Sequence, residues 1–178
     1  MSKKVSVEKI TSIGLFTALL CILSPFSLPI GPVPISLCTF FVMLSGIVLG
    51  WKLGTSSVIL YILLGGIGLP VFSSFSGGVG VLIGPTAGYI FGYIPLALCA
   101  GISSNKKLWS QVGLLILGNI ILYVIGTCWY MIVANQTIVR ALVVCVVPFL
   151  FGDGVKIICA IVIGATVKKA LQKGRLLA

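Results

Sequence analysis

Long stretches without a charged side chain divide the sequence into blocks of membrane-spanning length. Residues 10–51 and 53–105 form uncharged stretches of 42 and 53 residues. A helix needs about 20 apolar residues to cross the hydrocarbon core of a bilayer, so each stretch has room for two crossings. Each is interrupted by a segment rich in Pro, Gly and Ser, SPFSLPIGPVPIS at 24–36 and LPVFSSFSGGVG at 69–80, which is typical of a turn. These two blocks therefore predict four helices.

Two further blocks follow. Residues 108–139 are uncharged over 32 residues, and the 27 residues 141–167 carry only Asp153 and Lys156; each stretch suits one crossing with its flanks. The whole pattern predicts an all-α membrane protein, a bundle of six transmembrane helices. Because no internal repeat and no soluble segment stands out, residues 1–178 are expected to form a single transmembrane domain.

Composition and charge support that prediction and orient the bundle. The chain is 59% hydrophobic and 8% charged, against about 25% charged residues in an ordinary soluble domain. With a cytoplasmic N-terminus, ten of the twelve basic residues fall at cytoplasmic ends, as the positive-inside rule requires. Both termini are therefore predicted to be cytoplasmic, and the net charge of +10 needs no nucleic acid partner. The ten residues are Lys3, Lys4, Lys9, Lys52, Lys106, Lys107, Lys168, Lys169, Lys173 and Arg175.

The inventory of reactive side chains argues against an enzyme. The chain has no histidine, and its six cysteines lie in apolar stretches without CxxC spacing, so neither a metal site nor a disulfide framework is indicated. Its two acids, Glu8 and Asp153, are far apart, and a hydrolase would lack its second carboxylate or its base. No phosphate-cradling GxxxxGK[ST] loop is present. We therefore expect no catalytic residue, no metal and no cofactor, and any ATP must be hydrolysed by another chain.

An acid and a base lie in the middle of the last predicted helix. Asp153 and Lys156 stand at i, i+3, which places them on adjacent parts of one helix face. Charged residues near mid-bilayer cost several kcal/mol and usually face a cavity or a partner. The surrounding Pro148, Gly152 and Gly154 sit badly against lipid but well around a cavity. A functional site is therefore favoured over an ion pair that only fixes helix packing.

Glycine-rich segments offer two further features. The triplet Gly84, Gly88 and Gly92 has the spacing of a helix-packing face, whereas SSFSGGVG at 73–80 is expected to fold over a pocket from the outside, where its free N–H groups could hold an anionic ligand. On the first helix, Gly14 and Ala18 stand four apart and allow another helix to approach closely. That pair could pack within the chain or dock a partner subunit.

Three stretches resemble, in order and spacing, the signature segments of the BioY family, the biotin-binding S component of energy-coupling factor (ECF) transporters. They are IGPVPISLCTFFVMLSGIVLGWKLG, YILLGGIGLPVFSSFSGGVGVLIGPTAGYIFGY and PFLFGDGVK, and the resemblance spans roughly residues 10–172. It implies six transmembrane helices, a multi-pass protein of the bacterial plasma membrane surrounded by lipid, and biotin binding from outside. It also implies a membrane-embedded coupling protein and two ATPase subunits as partners, although some family members look able to work without a dedicated set.

The resemblance also assigns residues. The ureido ring of biotin offers two N–H donors and a carbonyl acceptor, which suit a carboxylate and an ammonium, and Asp153 and Lys156 match the family's acid and base. Phe72 and Tyr89 are candidates for the apolar wall, and the loop at 73–80 lies over the site. Further substrate-binding candidates are Gly77, Gly78, Thr86 and Asn119.

The sequence departs from the family pattern in two places: at the group expected to bind the ligand carboxylate and at the docking motif of the first helix. No arginine lies in the GPTAGYIFGY region or in the helix after it to bind the ligand carboxylate, so backbone N–H groups, a Ser or Thr, or Arg140 at the outer face would have to serve. The docking motif of the first helix, typically Ala-xxx-Ala, begins here with Gly14 and continues with Ala18.

Three alternatives remain open at this stage. The chain could be an S component for a different vitamin, or a self-sufficient proton-coupled carrier in which Asp153 titrates. It could also be an assembly subunit, which predicts no saturable ligand binding.

Overall fold

A computed structural model describes residues 7–28 and 35–173. Its elements are α1 (Val7–Leu23), the two-residue strands β1 (Ser27–Leu28) and β2 (Ile35–Ser36), α2 (Cys38–Gly66), a 3-10 turn (Ser73–Phe75), α3 (Val79–Ile83), α4 (Ala87–Ser103), α5 (Leu108–Ala134), α6 (Ile138–Cys145) and α7 (Val147–Lys173). The strands form one short antiparallel pair, and the described chain is otherwise helices and loops. Lys3, Lys4 and Arg175, which entered the charge argument, and residues 29–34 of the Pro-rich turn lie outside the described residues.

In the part of the chain that the structure describes, three helices are long and apolar enough to cross a membrane, namely Cys38–Gly66, Leu108–Ala134 and Val147–Leu171, and Ala87–Ser103 is a shorter apolar helix. These helices expose many large apolar side chains, such as Ile132 and Phe151. An outer surface of this kind suits lipid rather than water. The predicted all-α fold with helices suited to a membrane is therefore confirmed.

The helix α2 folds back on itself at Gly50. There the backbone adopts φ +79° and ψ 174°, which are not helical values and which glycine tolerates. A Cβ placed on Gly54 would lie 2.8 Å from the Cα of Gly46, whereas residues eight apart in a straight helix are separated by about 12 Å. The two halves of α2 are therefore an antiparallel hairpin, and its turn falls next to Lys52, where the sequence predicts a boundary between two spans.

Small residues bring α4 into the centre of the bundle. A Cβ on Gly46 would meet Ala97 and Ala100, both fully buried on α4. On the opposite side, a Cβ on Gly88 would meet Trp129, and one on Gly92 would meet Leu122, so α5 also approaches closely. The predicted packing role is confirmed for Gly88 and Gly92.

Polar contacts distinguish the two ends of the bundle. At one end, the backbone N–H of Ser74 donates to the carbonyl of Pro25 at 3.0 Å, joining the segment 24–28 to the loop 69–80; we call this the loop end. At the other, the Lys168 ammonium donates to Ser104 Oγ at 2.6 Å and to Asn105 Oδ1 at 2.7 Å, close to the turn of α2. The candidate site lies between these ends and opens toward the loop end.

Candidate functional site

Asp153 and Lys156 form an ion pair inside the bundle. The helical spacing predicted from the sequence brings Nζ of Lys156 to 2.9 Å from Oδ1 of Asp153, and the side chains are 12% and 6% exposed. Both residues lie on α7, whose helix continues through Gly152 and Gly154 without a break. The pair is thus shielded from lipid and held against the other helices.

Three other elements bind the same two side chains. Lys156 Nζ donates to the backbone carbonyl of Ser36 at 2.7 Å, just before α2, and to Oγ1 of Thr39 at 3.1 Å. Thr39 in turn donates to Asp153 Oδ1 at 3.3 Å. From α5, the Tyr123 hydroxyl donates to Oδ2 of Asp153. Contacts from three directions fix the position of both charges.

The hydrogen-bonding capacity of the pair is nearly exhausted. An ammonium has three N–H donors, and those of Lys156 match the acceptors on Ser36, Thr39 and Asp153. A carboxylate accepts at about four lone-pair positions, and three of those of Asp153 are occupied. A buried charge pair is costly unless it is paired and hydrogen-bonded, and here both conditions hold. One acceptor position of Asp153, on Oδ2, is left for another donor.

Two neighbouring cavities lie at the site, and the smaller one contains this pair in its lining. The larger, of about 260 Å³, is lined by Tyr61, Phe72, Ser73, Ser74, Ser76, Val81, Thr86, Tyr89, Ile90 and Tyr93. The smaller, of about 30 Å³, is lined by Ser36, Thr39, Tyr89, Tyr93, Leu122, Tyr123, Phe149, Asp153 and Lys156. Tyr89 and Tyr93 belong to both linings, so they form the wall between the cavities. A ligand that reaches the charged pair from the larger cavity must pass these two rings.

The loop 69–80 supplies the roof of the larger cavity. Its 3-10 turn is closed by the N–H of Phe72 donating to the carbonyl of Ser76 at 2.9 Å. Phe72 is 2% exposed and packs edge-on against Tyr61, and its ring fills the space that a Cβ on Gly65 would need. The aromatic ring therefore anchors the loop while the serine side chains line the cavity.

Tyr89 is held from two sides. Its hydroxyl donates to the carbonyl of Cys145 at 3.1 Å and lies 3.3 Å from Oγ1 of Thr127. The ring occupies the space beside Gly126 that a Cβ would fill. The ring of Tyr89 is therefore fixed, and its face and edge are available to a ligand, whereas its hydroxyl is bonded to Cys145 and Thr127.

The remaining substrate-binding candidates divide into two groups. Thr86 lines the larger cavity, but Gly78 and Asn119 line neither cavity. Gly78, with φ +94°, is the N-cap that precedes α3, and its N–H donates to the carbonyl of Gly65 at 2.7 Å, so it shapes the path of the loop. Asn119 is 4% exposed and donates to the carbonyl of Leu115 at 3.0 Å, one helical turn away along α5.

The small-residue face of α1 points away from the bundle. Gly14 and Ala18 are exposed, and a Cβ on Gly14 would meet nothing within 4 Å. The buried face of α1 is made instead by Phe16, Thr17 and Leu20. Among the described residues, this pair therefore has no part in packing within the chain, which was one of the two uses open at the sequence level.

Several residues of the site carried little or no signal in the sequence. Thr39, Tyr93 and Tyr123 lie in apolar stretches in which a hydroxyl is equally compatible with lipid contact or packing. A tyrosine at helical spacing from Tyr89 was a usable hint for Tyr93. Nothing local pointed to Thr39, which lies 114 residues from Asp153 in sequence. Arg140, considered as a carboxylate partner, is exposed and lines neither cavity.

Comparisons with known proteins agree on one family. A model of the BioY family matches residues 1–173. The biotin transporter BioY of Thermotoga maritima is 41% identical over 92% of this chain and 97% of its own length. The probable biotin transporter BioY of Pyrococcus horikoshii is 39% identical over 88% and 93%. A crystal structure described as the S-component for biotin from an ECF-type ABC transporter matches with a TM-score of 0.85 at 30% identity, covering 95% of both chains.

Proposed function

The chain belongs to the BioY family, and on that premise we propose that it captures biotin and carries it across the cell membrane as the substrate-binding subunit of an ECF-type transporter. It is a multi-pass membrane protein and a transporter subunit rather than an enzyme. The observation that carries the proposal is the Asp153–Lys156 pair, fixed by three elements beside a cavity of about 260 Å³.

The chemistry of the pair suits the ureido head group. The group presents a carbonyl acceptor between two N–H donors, and an ammonium and a carboxylate side by side provide the complementary donor and acceptor. Oδ2 of Asp153 has a free position for one N–H. The rings of Tyr89 and Phe72 supply apolar walls for the bicyclic system and the aliphatic chain.

In this proposal, hydroxyl groups that line the larger cavity bind the carboxylate of biotin, and no cation is required there. Ser73, Ser74, Ser76 and Thr86 line it, and no Lys or Arg of the described residues does so. Hydroxyls can donate to a carboxylate without the desolvation cost of a second buried charge. The proposed orientation therefore places the head group at α7 and the carboxylate under the loop 69–80.

The proposed topology follows from the charges and the hairpin of α2. Six spans result when the two halves of α2 are counted separately, together with α1, α4, α5 and α7, and the basic end of the bundle then faces the cytoplasm. Residues 1–178 act as one domain in this proposal. A coupling protein and two ATPase subunits supply the energy, and the exposed face at Gly14 and Ala18 is the proposed contact with the coupling protein. No cofactor is needed.

Titration of the purified protein in detergent with labelled biotin tests the proposal. Saturable binding that desthiobiotin displaces, and thiamine and riboflavin do not, is the expected result. Biotin amide, which keeps the head group and loses the carboxylate charge, should compete only a few-fold more weakly because hydroxyls rather than a cation bind that end. Absence of biotin binding by a monodisperse preparation would contradict the proposal, and displacement by another vitamin would reassign the substrate.

A further inference from the structure

The hydroxyl of Thr39 bridges the charged pair. It accepts a hydrogen bond from Lys156 Nζ at 3.1 Å and donates one to Asp153 Oδ1 at 3.3 Å. These are long contacts compared with the 2.7 Å from Lys156 to the Ser36 carbonyl and the 2.9 Å to Asp153. One hydroxyl thus satisfies the ammonium as an acceptor and the carboxylate as a donor, through the weakest bonds of the network.

A cyclic urea makes the same two demands. Its carbonyl accepts from a cation, and the adjacent N–H donates to an anion. Because all three donors of Lys156 are already engaged, a ligand carbonyl can bond to Lys156 only by replacing one acceptor. Replacing Asp153 would separate a buried ion pair, and replacing the carbonyl of Ser36 would strip a buried backbone group of its partner.

Thr39 is the partner that can leave at low cost. It stands in the first turn of α2, it is only partly buried, and rotation about χ1 can turn its hydroxyl away from the pair. The smaller cavity, which Thr39 helps to line, measures about 30 Å³, enough for a water molecule but not for a ring. Entry of a ring at Asp153 therefore requires a lining group to move.

We infer that, in the ligand-free protein, the Thr39 hydroxyl occupies the donor–acceptor position that the ligand's cyclic urea takes over on binding. The inference rests on the proposed function and refines it at the same site. Tyr123 has the opposite role, because it holds Oδ2 of Asp153 from α5 and leaves a second lone pair there for the ligand. Thr39 is exchanged on binding, and Tyr123 is a positioning residue that stays.

The two roles predict effects of opposite sign. Thr39→Val keeps the shape and removes both bonds that the ligand must break, so biotin is expected to bind about three- to tenfold more tightly, the equivalent of one ordinary hydrogen bond. Tyr123→Phe removes a bond that persists in the complex, and biotin is expected to bind about tenfold more weakly. Thr39→Ser retains the hydroxyl, so it should bind biotin with about the affinity of the parent and not with the higher affinity of Thr39→Val.

The experiment is a biotin titration of the parent and these variants, with thermal stability measured with and without saturating biotin. Thr39→Val should lower the stability of the biotin-free protein and leave that of the complex unchanged. Thr55→Val is the matched control, because the buried hydroxyl of Thr55 has no hydrogen-bond partner among the described residues and lies outside both cavities. It should leave biotin affinity unchanged.

The outcomes separate this inference from the proposed function. If the parent protein does not bind biotin, the proposed function fails. If the parent binds biotin and Thr39→Val binds it with equal or lower affinity, the inference that the ligand replaces the Thr39 hydroxyl is wrong. Thr39 then only holds Asp153 and Lys156 in position. Should Thr39→Val not yield folded protein, Thr39→Ala removes the same two bonds, and its affinity must rise for the inference to stand.

Discussion

The two cavities differ in how completely their polar groups are paired. At the charged pair, Lys156 uses all its donors and Asp153 all but one of its acceptor positions, within a space of about 30 Å³. Under the loop 69–80, the space is about 260 Å³ and the polar lining consists of hydroxyls that can rotate. The first region can accept only a ligand with matching donors and acceptors, whereas the second can adjust. Substrate identity should therefore depend chiefly on the charged pair, and the loop should tune affinity.

Removal of the carboxylate charge tests the paired region and should have the largest effect. Asp153→Asn leaves Lys156 buried beside a neutral amide and removes the anionic acceptor, so biotin should bind about 100-fold more weakly or worse. The measurement is the same titration on folded, membrane-inserted protein. The control is Glu8→Gln, which neutralises an exposed acid on α1 and should have no effect on binding. Equal affinity in Asp153→Asn and the parent would remove Asp153 from the site.

A change in the path of the loop tests the adjustable region. A Cβ on Gly77 would lie 2.2 Å from the carbonyl oxygen of Leu69, so Gly77→Ala must displace backbone. We expect the roof of the larger cavity to shift and biotin to bind about tenfold more weakly.

The matched control for that change is Gly80→Ala in the same segment. A Cβ there would meet nothing within 4 Å, so the loop should keep its path. Equal effects of the two alanines on biotin affinity would mean that the position of the loop is irrelevant to binding.

A single hydroxyl of the larger cavity should have a smaller effect. Thr86→Val removes one donor from a set in which three serines remain, so biotin should bind about threefold more weakly. Biotin amide should be affected less than biotin, because the lost bond is to the charged end of the ligand. A stronger effect on the amide would reverse the proposed orientation of the ligand.

A substitution outside both regions should leave binding intact. Gly14→Leu fills the exposed small-residue face of α1, far from the lining of either cavity. Biotin affinity in detergent should not change, while uptake by cells that supply the partner subunits should fall about tenfold or more because helices can no longer approach closely. Loss of binding together with uptake would show that this face supports the fold of the bundle.

The sequence by itself determined what depends on local spacing and on the bilayer. Charges at Lys52 and Lys106 marked span boundaries because charged groups avoid the hydrocarbon core, and Gly50 turns the chain beside the first of them. Asp153 and Lys156 were predicted to lie on adjacent parts of one helix face because they are three residues apart, and the distance of 2.9 Å between their charged atoms agrees.

Only the tertiary structure decided which groups surround that pair. Thr39 and Tyr123 lie 114 and 30 residues from Asp153, and their contact depends on how α2 and α5 pack against α7. Asn119 shares α5 with Tyr123 but lines neither cavity. A hydroxyl or amide inside an apolar stretch has the same local pattern whether it faces a ligand, a helix or lipid. Its role follows from long-range packing, which hydrophobic periodicity does not encode.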